Sequence, residues 1–106
     1  MIHGQKIAVI GAGIGGLATA LALRLRGADV LVFEQADALS EVGAGLQVSP
    51  NGFAVLYALG VAPQLRALGL RAKAVDLCDY RRGRLVCRLD LKRYVSDLEY
   101  TFVHRA

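Results

Sequence analysis

The hydrophobic positions near the start of the chain follow two different periods. Residues 6–10 form a short apolar run that ends in glycines, which is typical of a central strand in a parallel sheet. From about residue 13 to 26 the chain is rich in Leu and Ala, which predicts a helix with apolar side chains around most of its circumference. Gly27 ends this helix, and Asp29 leads into a second apolar strand over residues 30–33. These segments predict a right-handed parallel βαβ unit that is buried on several sides.

The middle of the chain predicts a loop followed by two short helices. Residues 35–48 are rich in Gly and Ala and predict an irregular loop. Ser49 and Pro50 then offer a helix cap and a first helical residue. The two helices and the glycines that end them are 50–59 with Gly60 and 63–68 with Gly69.

The remaining segments have strand character. Residues 74–80 and 85–89 flank an Arg-Arg-Gly-Arg turn, which predicts a β-hairpin, and a last strand covers residues 100–104. If residues 82 and 83 make a two-residue loop, Cys78 and Cys87 lie directly opposite each other. We interpret them as reduced, apolar side chains rather than a redox bridge. Their spacing also predicts neither a metal site nor a CxxC pair.

The glycines after the first strand carry the clearest chemical signal. Gly11, Gly13 and Gly16 satisfy GxGxxG between a predicted strand and a predicted helix. The first glycine permits the tight turn, the second lets a pyrophosphate approach the backbone, and the third lets the helix pack against the sheet. No Ser, Thr, Asn or Asp lies between Gly11 and Leu17 to cap the helix. Its first N–H groups are therefore left for an external anion.

An acidic residue at the end of the second strand completes the pattern. Glu34 lies 18 residues beyond Gly16, where a carboxylate can accept both hydroxyls of an adenosine ribose. The same charge would repel a 2′-phosphate, which disfavours NADP. The pattern therefore predicts an adenine dinucleotide, and its spacing leaves both NAD and FAD open.

Composition and charge restrict the class of protein. A chain of 106 residues and 11.3 kDa allows one domain, and a hydrophobic content of 55% excludes disorder. That apolar content is high for the length, which suggests a piece of something larger or a large bound ligand. The net charge of +4 is concentrated in residues 61–106, which contain ten basic and five acidic residues. Because the two signs are interleaved there, we expect solvated surface and no nucleic-acid binding.

A charge-free run over residues 7–23 could be mistaken for a membrane segment. Four glycines interrupt it, and Arg24 closes it before the roughly 20 residues that a span needs. We expect a cytoplasmic protein without a membrane segment.

Three landmarks give the chain a family resemblance. The stretch GAGIGGLATALALRLRGADVLVFEQ is followed by EVGAGLQVSPNG and, at the end, by His104-Arg105-Ala106. In this order they resemble FAD-dependent aromatic-ring monooxygenases of the para-hydroxybenzoate hydroxylase type. The likeness is greatest to salicylate hydroxylase, 3-hydroxybenzoate 6-hydroxylase and 6-hydroxynicotinate 3-monooxygenase. It implies an α/β fold with a Rossmann-like βαβ FAD-binding segment of the glutathione-reductase type, followed by short helices and a β-hairpin.

The resemblance implies a set of cofactor-binding residues and no catalytic or metal-binding residue. The backbone near the glycines would hold the FAD pyrophosphate, Glu34 the adenosine ribose, and Arg105 the ribityl-phosphate region. Gln35 would lie beside the adenosine, while Gly45 and Leu46 would approach the flavin. The implied set is Gly11, Gly13, Ile14, Gly16, Glu34, Gln35, Gly45, Leu46 and Arg105.

The resemblance also implies what the chain does and lacks. Family members use NAD(P)H as co-substrate to reduce FAD, and oxygen is then transferred to a phenolic or related aromatic acid. Their Asp-Gly and Gly-Asp FAD motifs and most of the substrate pocket lie on sequence that this chain does not contain. We therefore expect residues 1–106 to be an incomplete, N-terminal portion of an FAD-binding domain that is inactive alone. Its uncovered apolar core would drive self-association or pairing with a missing C-terminal part.

Two alternatives remain at the level of sequence. An NAD-dependent Rossmann dehydrogenase fragment would explain the glycines and Glu34, but the Gly-Ala-Gly loop at 43–45 and the hairpin disfavour it. A non-catalytic, truncated dinucleotide-binding module that needs a partner chain would explain the apolar excess.

Overall fold

The computed structural model describes residues 1–40, 45–94 and 99–104, and its elements follow the predicted α/β order. The predicted parallel βαβ unit is confirmed, with Ile7 opposite Val30 and Ile10 opposite Phe33 across its two strands. In chain order the elements are β1 (Lys6–Ile10), α1 (Ile14–Leu25), β2 (Asp29–Phe33), β3 (Gly45–Val48), α2 (Pro50–Ala58), α3 (Ala62–Leu68), β4 (Leu70–Arg71), β5 (Ala74–Cys78), β6 (Leu85–Asp90), α4 (Leu91–Tyr94) and β7 (Thr101–His104).

The βαβ unit is covered on one face only, which corrects the expectation of burial on several sides. Alternate residues of β1 and β2, including Val9 and Val32, are partly buried on the side where α1 packs. The opposite face carries Ile10, Leu31 and Phe33, which are 80%, 60% and 51% exposed. Within the described part of the chain β1 pairs with β2 alone. Strands that are apolar on both faces are typical of a sheet that is covered on both sides.

A second sheet is formed by β3, β7 and β4, in that order, with antiparallel pairing. The expected loop over 35–48 is wrong at residues 45–48, because Gly45 to Val48 pair with β7 over its whole length. The short strand β4 was also not predicted, since two residues give no periodicity. Both differences have the same cause: long-range pairing imposes strand structure on segments whose local sequence does not specify it.

The small hydrophobic core of the chain lies between this second sheet and the helices α2 and α3. Val48, Phe53 and Ala62 are buried there, with Leu56, Leu65 and Val103 packed around them. The Arg66 guanidinium lies over the Phe53 ring, 5.2 Å from its centroid, and pairs with Glu99 at 2.7 Å. Ser49 is the N-cap residue of α2, as predicted, but its hydroxyl hydrogen-bonds the Asn51 side chain instead of capping the helix.

The predicted hairpin is formed by β5 and β6, and Gly83 in its turn has a φ of +64°. The loop is longer than two residues: the backbone of Asp79 pairs with Arg84, and the Asp79 carboxylate accepts the Arg81 and Arg82 N–H groups at 2.9 and 2.7 Å. Cys78 therefore lies opposite Leu85, while Cys87 lies opposite Leu77, with an irregularity between the two pairs. The direct opposition of the two cysteines is thus not formed, and both are free and exposed. The helix α4, which the sequence did not predict, follows β6 directly.

The chain is elongated for its length. Its radius of gyration is 17.5 Å and its extents are 54 × 33 × 22 Å, whereas a compact domain of about 100 residues has a radius near 13 Å. The βαβ unit, the β3–β7–β4 group and the hairpin with α4 each pack mainly within themselves. None of the helices in the described ranges is long and apolar enough to span a bilayer.

Candidate functional site

The turn between β1 and α1 has the conformation that its first glycine was expected to allow. Gly11 has a φ of +97°, which a residue with a side chain rarely adopts. Its N–H donates to the Phe33 carbonyl at 2.6 Å, so the turn begins hydrogen-bonded to the end of β2. The chain thus leaves the strand sharply, at the edge where the two parallel strands end.

The other two glycines of the motif are required for different reasons. A Cβ at Gly16 would lie 1.9 Å from the Gly11 carbonyl oxygen and 3.7 Å from the Val9 side chain, so only glycine lets α1 start this close to β1. A Cβ at Gly13 would meet nothing within 4 Å. That open space is where the sequence predicts that a pyrophosphate approaches the backbone.

The N-terminus of α1 presents backbone donors that the helix does not use. Gly13 is the N-cap residue and no side chain caps the helix. The Leu17 N–H donates to the Gly13 carbonyl at 2.9 Å, so the N–H groups of Ile14, Gly15 and Gly16 precede the first helical hydrogen bond. These donors and the positive end of the helix dipole form an arrangement suited to a phosphate oxygen.

Glu34, directly after β2, is hydrogen-bonded to the turn. One carboxylate oxygen accepts the Ala12 N–H at 2.7 Å and the other accepts the Ala36 N–H at 3.0 Å. The bonds from Ala36 and then from Ala12 lower the pKa of Glu34 below its usual 4.5, because they stabilise the charged form. The side chain is exposed and fully ionised at neutral pH.

The sequence alone did not predict the hydrogen bond between Ala12 and Glu34. A signal for it existed: in a parallel pair with Ile10 opposite Phe33, the residues that follow each strand must lie side by side. The predicted site residues Gly11, Gly13, Ile14, Gly16 and Glu34 are therefore brought together at one sheet edge.

The other predicted site residues lie elsewhere or outside the described residues. Gln35 follows Glu34 and is exposed. Gly45 and Leu46 belong to β3, where they line an open cleft of about 540 Å³ with residues of α3, β4 and β7, including Leu68 and Phe102. Arg105 and the Gly43-Ala44 part of the predicted loop lie outside the described residues. In the ranges that the structure describes, no group of His, Cys, Asp or Glu could hold a metal ion.

Comparison with known proteins shows the family of this chain. A family model described as FAD dependent oxidoreductase matches residues 6–94, which include every element from β1 to α4 and also Glu34. The chain belongs to this FAD-dependent oxidoreductase family. FAD is thus the cofactor of the family, and the reading as an NAD-dependent dehydrogenase fragment is not favoured.

Curated relatives of this chain include aromatic-ring monooxygenases. The chain is 44% identical over 104 residues to a 3-amino-4-hydroxybenzoate 2-monooxygenase of Streptomyces cremeus, matching 95% of this chain and 26% of that protein. It is 43% identical over 102 residues to a 3-hydroxybenzoate 6-hydroxylase of Polaromonas naphthalenivorans (strain CJ2), matching 93% of this chain and 26% of that protein. The chain therefore spans about a quarter of the length of the curated relatives it matches.

Solved structures agree with this assignment. Klebsiella pneumoniae HpxO complexed with FAD and uric acid matches with a TM-score of 0.76 and 32% identity, over 95% of this chain and 26% of that one. The tetrameric form of 2-methyl-3-hydroxypyridine-5-carboxylic acid oxygenase matches with a TM-score of 0.82 over 96% of this chain and 26% of that one. At 24% identity the second likeness supports the fold alone. The predicted Rossmann-like FAD-binding architecture is confirmed.

The described residues of this chain fit the dinucleotide part of FAD. The positive φ of Gly11, the open space at Gly13 and the uncapped start of α1 together leave room and donors for two phosphates. Each Glu34 oxygen accepts one described hydrogen bond from the protein, and a carboxylate oxygen can accept two. A ribose with two hydroxyls can therefore be added without removing either bond.

Proposed function

We propose that residues 1–106 are the N-terminal portion of an FAD-binding domain, and that the whole protein is an FAD-dependent aromatic-ring monooxygenase. The observation that carries the proposal is the convergence of three features at one sheet edge: the glycine turn, the uncapped helix start and Glu34. The 44% identity to an aminohydroxybenzoate monooxygenase and the 43% identity to a hydroxybenzoate hydroxylase support the reaction class.

In this proposal the chain binds and orients the adenosine and pyrophosphate half of the cofactor. The N–H groups of Ile14, Gly15 and Gly16, with the backbone at Gly11 and Gly13, hold the two phosphates. Glu34 accepts the ribose hydroxyls, and Gln35 lies beside the adenosine. As the family resemblance implies, Gly45 and Leu46 on β3 would approach the flavin, and Arg105, which lies outside the described residues, would bind the ribityl-phosphate region. When bound, FAD supplies the electron transfer from NAD(P)H and the activation of oxygen.

The proposed substrate is a phenolic or related aromatic acid, because the relatives are named for hydroxybenzoates and an aminohydroxybenzoate. We assign no catalytic residue to the described part of the chain, because the polar groups of its candidate site serve the cofactor. The remainder of the protein would supply the substrate pocket and cover the open faces of β1, β2 and the hairpin. A module that depends on a partner chain would need the same apolar faces covered, with the partner chain as the cover.

The test uses the full natural polypeptide that contains this chain. We expect it to bind FAD and to oxidise NADH or NADPH faster when a substrate is present, with one atom of ¹⁸O₂ entering the hydroxylated product. The substrate panel is 3-hydroxybenzoate, 3-amino-4-hydroxybenzoate, 6-hydroxynicotinate and urate. Binding of NADH without binding of FAD would contradict the proposal. FAD binding without incorporation of oxygen into any tested substrate would support only the FAD-binding part of the proposal.

A further inference from the structure

Two consecutive amides of the glycine turn are hydrogen-bonded to the end of β2 by different means. The Gly11 N–H donates to the Phe33 carbonyl, a backbone acceptor that any residue would provide. The Ala12 N–H donates at 2.7 Å to the side chain of Glu34, which only an acceptor of that length can provide. The second bond is therefore a property of this sequence and not of the fold alone.

The Glu34 carboxylate is itself fixed from its other side. Its second oxygen accepts the Ala36 N–H at 3.0 Å, two residues further along the chain. A carboxylate with one backbone N–H on each oxygen has a set orientation, although the side chain is exposed to solvent. It acts as a bridge between the segment after β2 and the turn after β1.

The segment held by this bridge is rich in glycine, which makes it costly to order. Ala12 stands between Gly11 and Gly13, and glycines lose more conformational freedom than other residues when a segment is ordered. Ordering the turn only when the ligand arrives would reduce affinity by the cost of that entropy. A turn that is already held avoids this cost.

We propose that Glu34 is a positioning residue for the glycine turn in addition to an acceptor for ribose. Its carboxylate holds the Ala12 amide so that the turn and the N–H groups of Ile14, Gly15 and Gly16 are arranged before the dinucleotide binds. This rests on the proposed function, because it assigns the role with respect to the same pyrophosphate site. A positioning role predicts one effect that a ribose contact alone does not. Replacing Glu34 should weaken the binding even of a ligand that has no ribose hydroxyls.

The experiment is a cycle of two proteins and two ligands. Native full-length protein and Glu34→Gln are titrated with FAD and with an FAD analogue that lacks the 2′ and 3′ hydroxyls of the adenosine ribose. A glutamine has one acceptor oxygen, so it cannot accept both the Ala12 and the Ala36 N–H groups. We expect Kd for FAD to rise roughly 100-fold and Kd for the analogue to rise roughly tenfold in the variant, which is the range for hydrogen bonds to charged groups.

The matched control is Asp29→Asn, which removes the same charge from the opposite end of β2. The Asp29 side chain has no partner among the described residues, and we expect both Kd values to stay within roughly twofold. If native protein and Glu34→Gln bind the analogue equally well, Glu34 acts on the ribose alone and the proposal is wrong.

A second measurement requires no cofactor and separates this inference from the proposed function. Amide hydrogen exchange in the FAD-free protein should become at least roughly tenfold faster at Ala12 in Glu34→Gln, while the Gly11 amide, bonded to Phe33, stays unchanged. Unchanged exchange at Ala12 overturns the positioning role. If the native protein binds neither FAD nor the analogue, the proposed function fails, and the Ala12 amide still decides whether Glu34 holds the turn.

Discussion

The βαβ unit and the β5–β6 hairpin both expose apolar residues on a sheet face, but they use their polar groups differently. On the hairpin, Leu77 and Leu89 share a face and are 63% and 46% exposed, much like Leu31 on β2 at 60%. The opposite face of the hairpin carries Asp76 and Arg88, which pair with each other at 2.6 Å. In the βαβ unit, by contrast, Glu34 is bonded to the turn and the first amides of α1 are left open.

The difference shows that the geometry of a candidate site can form in a chain whose neighbouring sheet face is not covered. The glycine turn depends on contacts within a few residues of two strand ends, so it is formed although one face of its sheet is open. The hairpin uses its described polar groups to close its own turn and to join its own strands. Its exposed apolar face, by contrast, has no cover among the described residues.

The largest effect is expected at Gly16. Gly16→Ala places a methyl group 1.9 Å from the Gly11 carbonyl oxygen, so α1 must move away from the turn. We expect the free energy of unfolding of the full polypeptide to fall by about 3 kcal/mol and FAD binding to be lost. Chemical denaturation and FAD titration measure the two effects.

The matched control for this substitution is Gly15→Ala. A Cβ at Gly15 meets nothing within 4 Å, and alanine in a helix is favoured over glycine by about 0.5–1 kcal/mol. The free energy of unfolding should therefore not fall in this control. Equal destabilisation by the two substitutions would show that close packing against Gly11 is not the reason for glycine at position 16.

A substitution at Gly13 should separate binding from folding. Gly13 has an ordinary φ of −70° and open space around it, so Gly13→Ala should change the free energy of unfolding by less than about 1 kcal/mol. The methyl group would occupy the approach of the pyrophosphate, and we expect Kd for FAD to rise roughly 100-fold. Gly52→Ala in α2 is the control outside the βαβ unit. Unchanged affinity in Gly13→Ala would place the phosphates elsewhere.

These glycines also show which parts of the molecule the sequence could predict. Gly11, Gly13 and Gly16 act through backbone geometry next to their own position, so their spacing was enough to predict the turn, the start of the helix and the position of Glu34 after β2. The strand at Gly45–Val48 could not be found in this way, because its pairing partner β7 lies more than 50 residues away. The register of Cys78 and Cys87 was wrong for a local reason: the Asp79 carboxylate stabilises a loop longer than two residues.

A smaller effect is expected on the apolar face of the hairpin. Leu77 is 63% exposed, so Leu77→Lys in the 106-residue polypeptide should leave its secondary structure unchanged. We expect the association constant for self-association to fall roughly tenfold, since an association interface loses one buried leucine. Sedimentation equilibrium measures it. Leu39→Lys, at a leucine outside the hairpin that is 70% exposed, is the control. An equal fall in both variants would show that the hairpin is not the surface involved.

The smallest effect is expected at the ion pair on the polar face of the hairpin. A side-chain hydrogen bond from Arg88 lowers the pKa of Asp76 below its usual 3.8, so the pair stabilises the fold above that pH and the contribution is lost as the pH falls through the lowered pKa. Asp76→Asn should therefore lower the urea midpoint slightly at pH 7 and not at a pH well below 3.8. High salt should reduce the difference at pH 7, because both side chains are exposed to solvent. If the difference in urea midpoint persists unchanged in acid, Asp76 acts through packing. The control Asp29→Asn removes a carboxylate that has no partner among the described residues, so it measures the effect of charge alone.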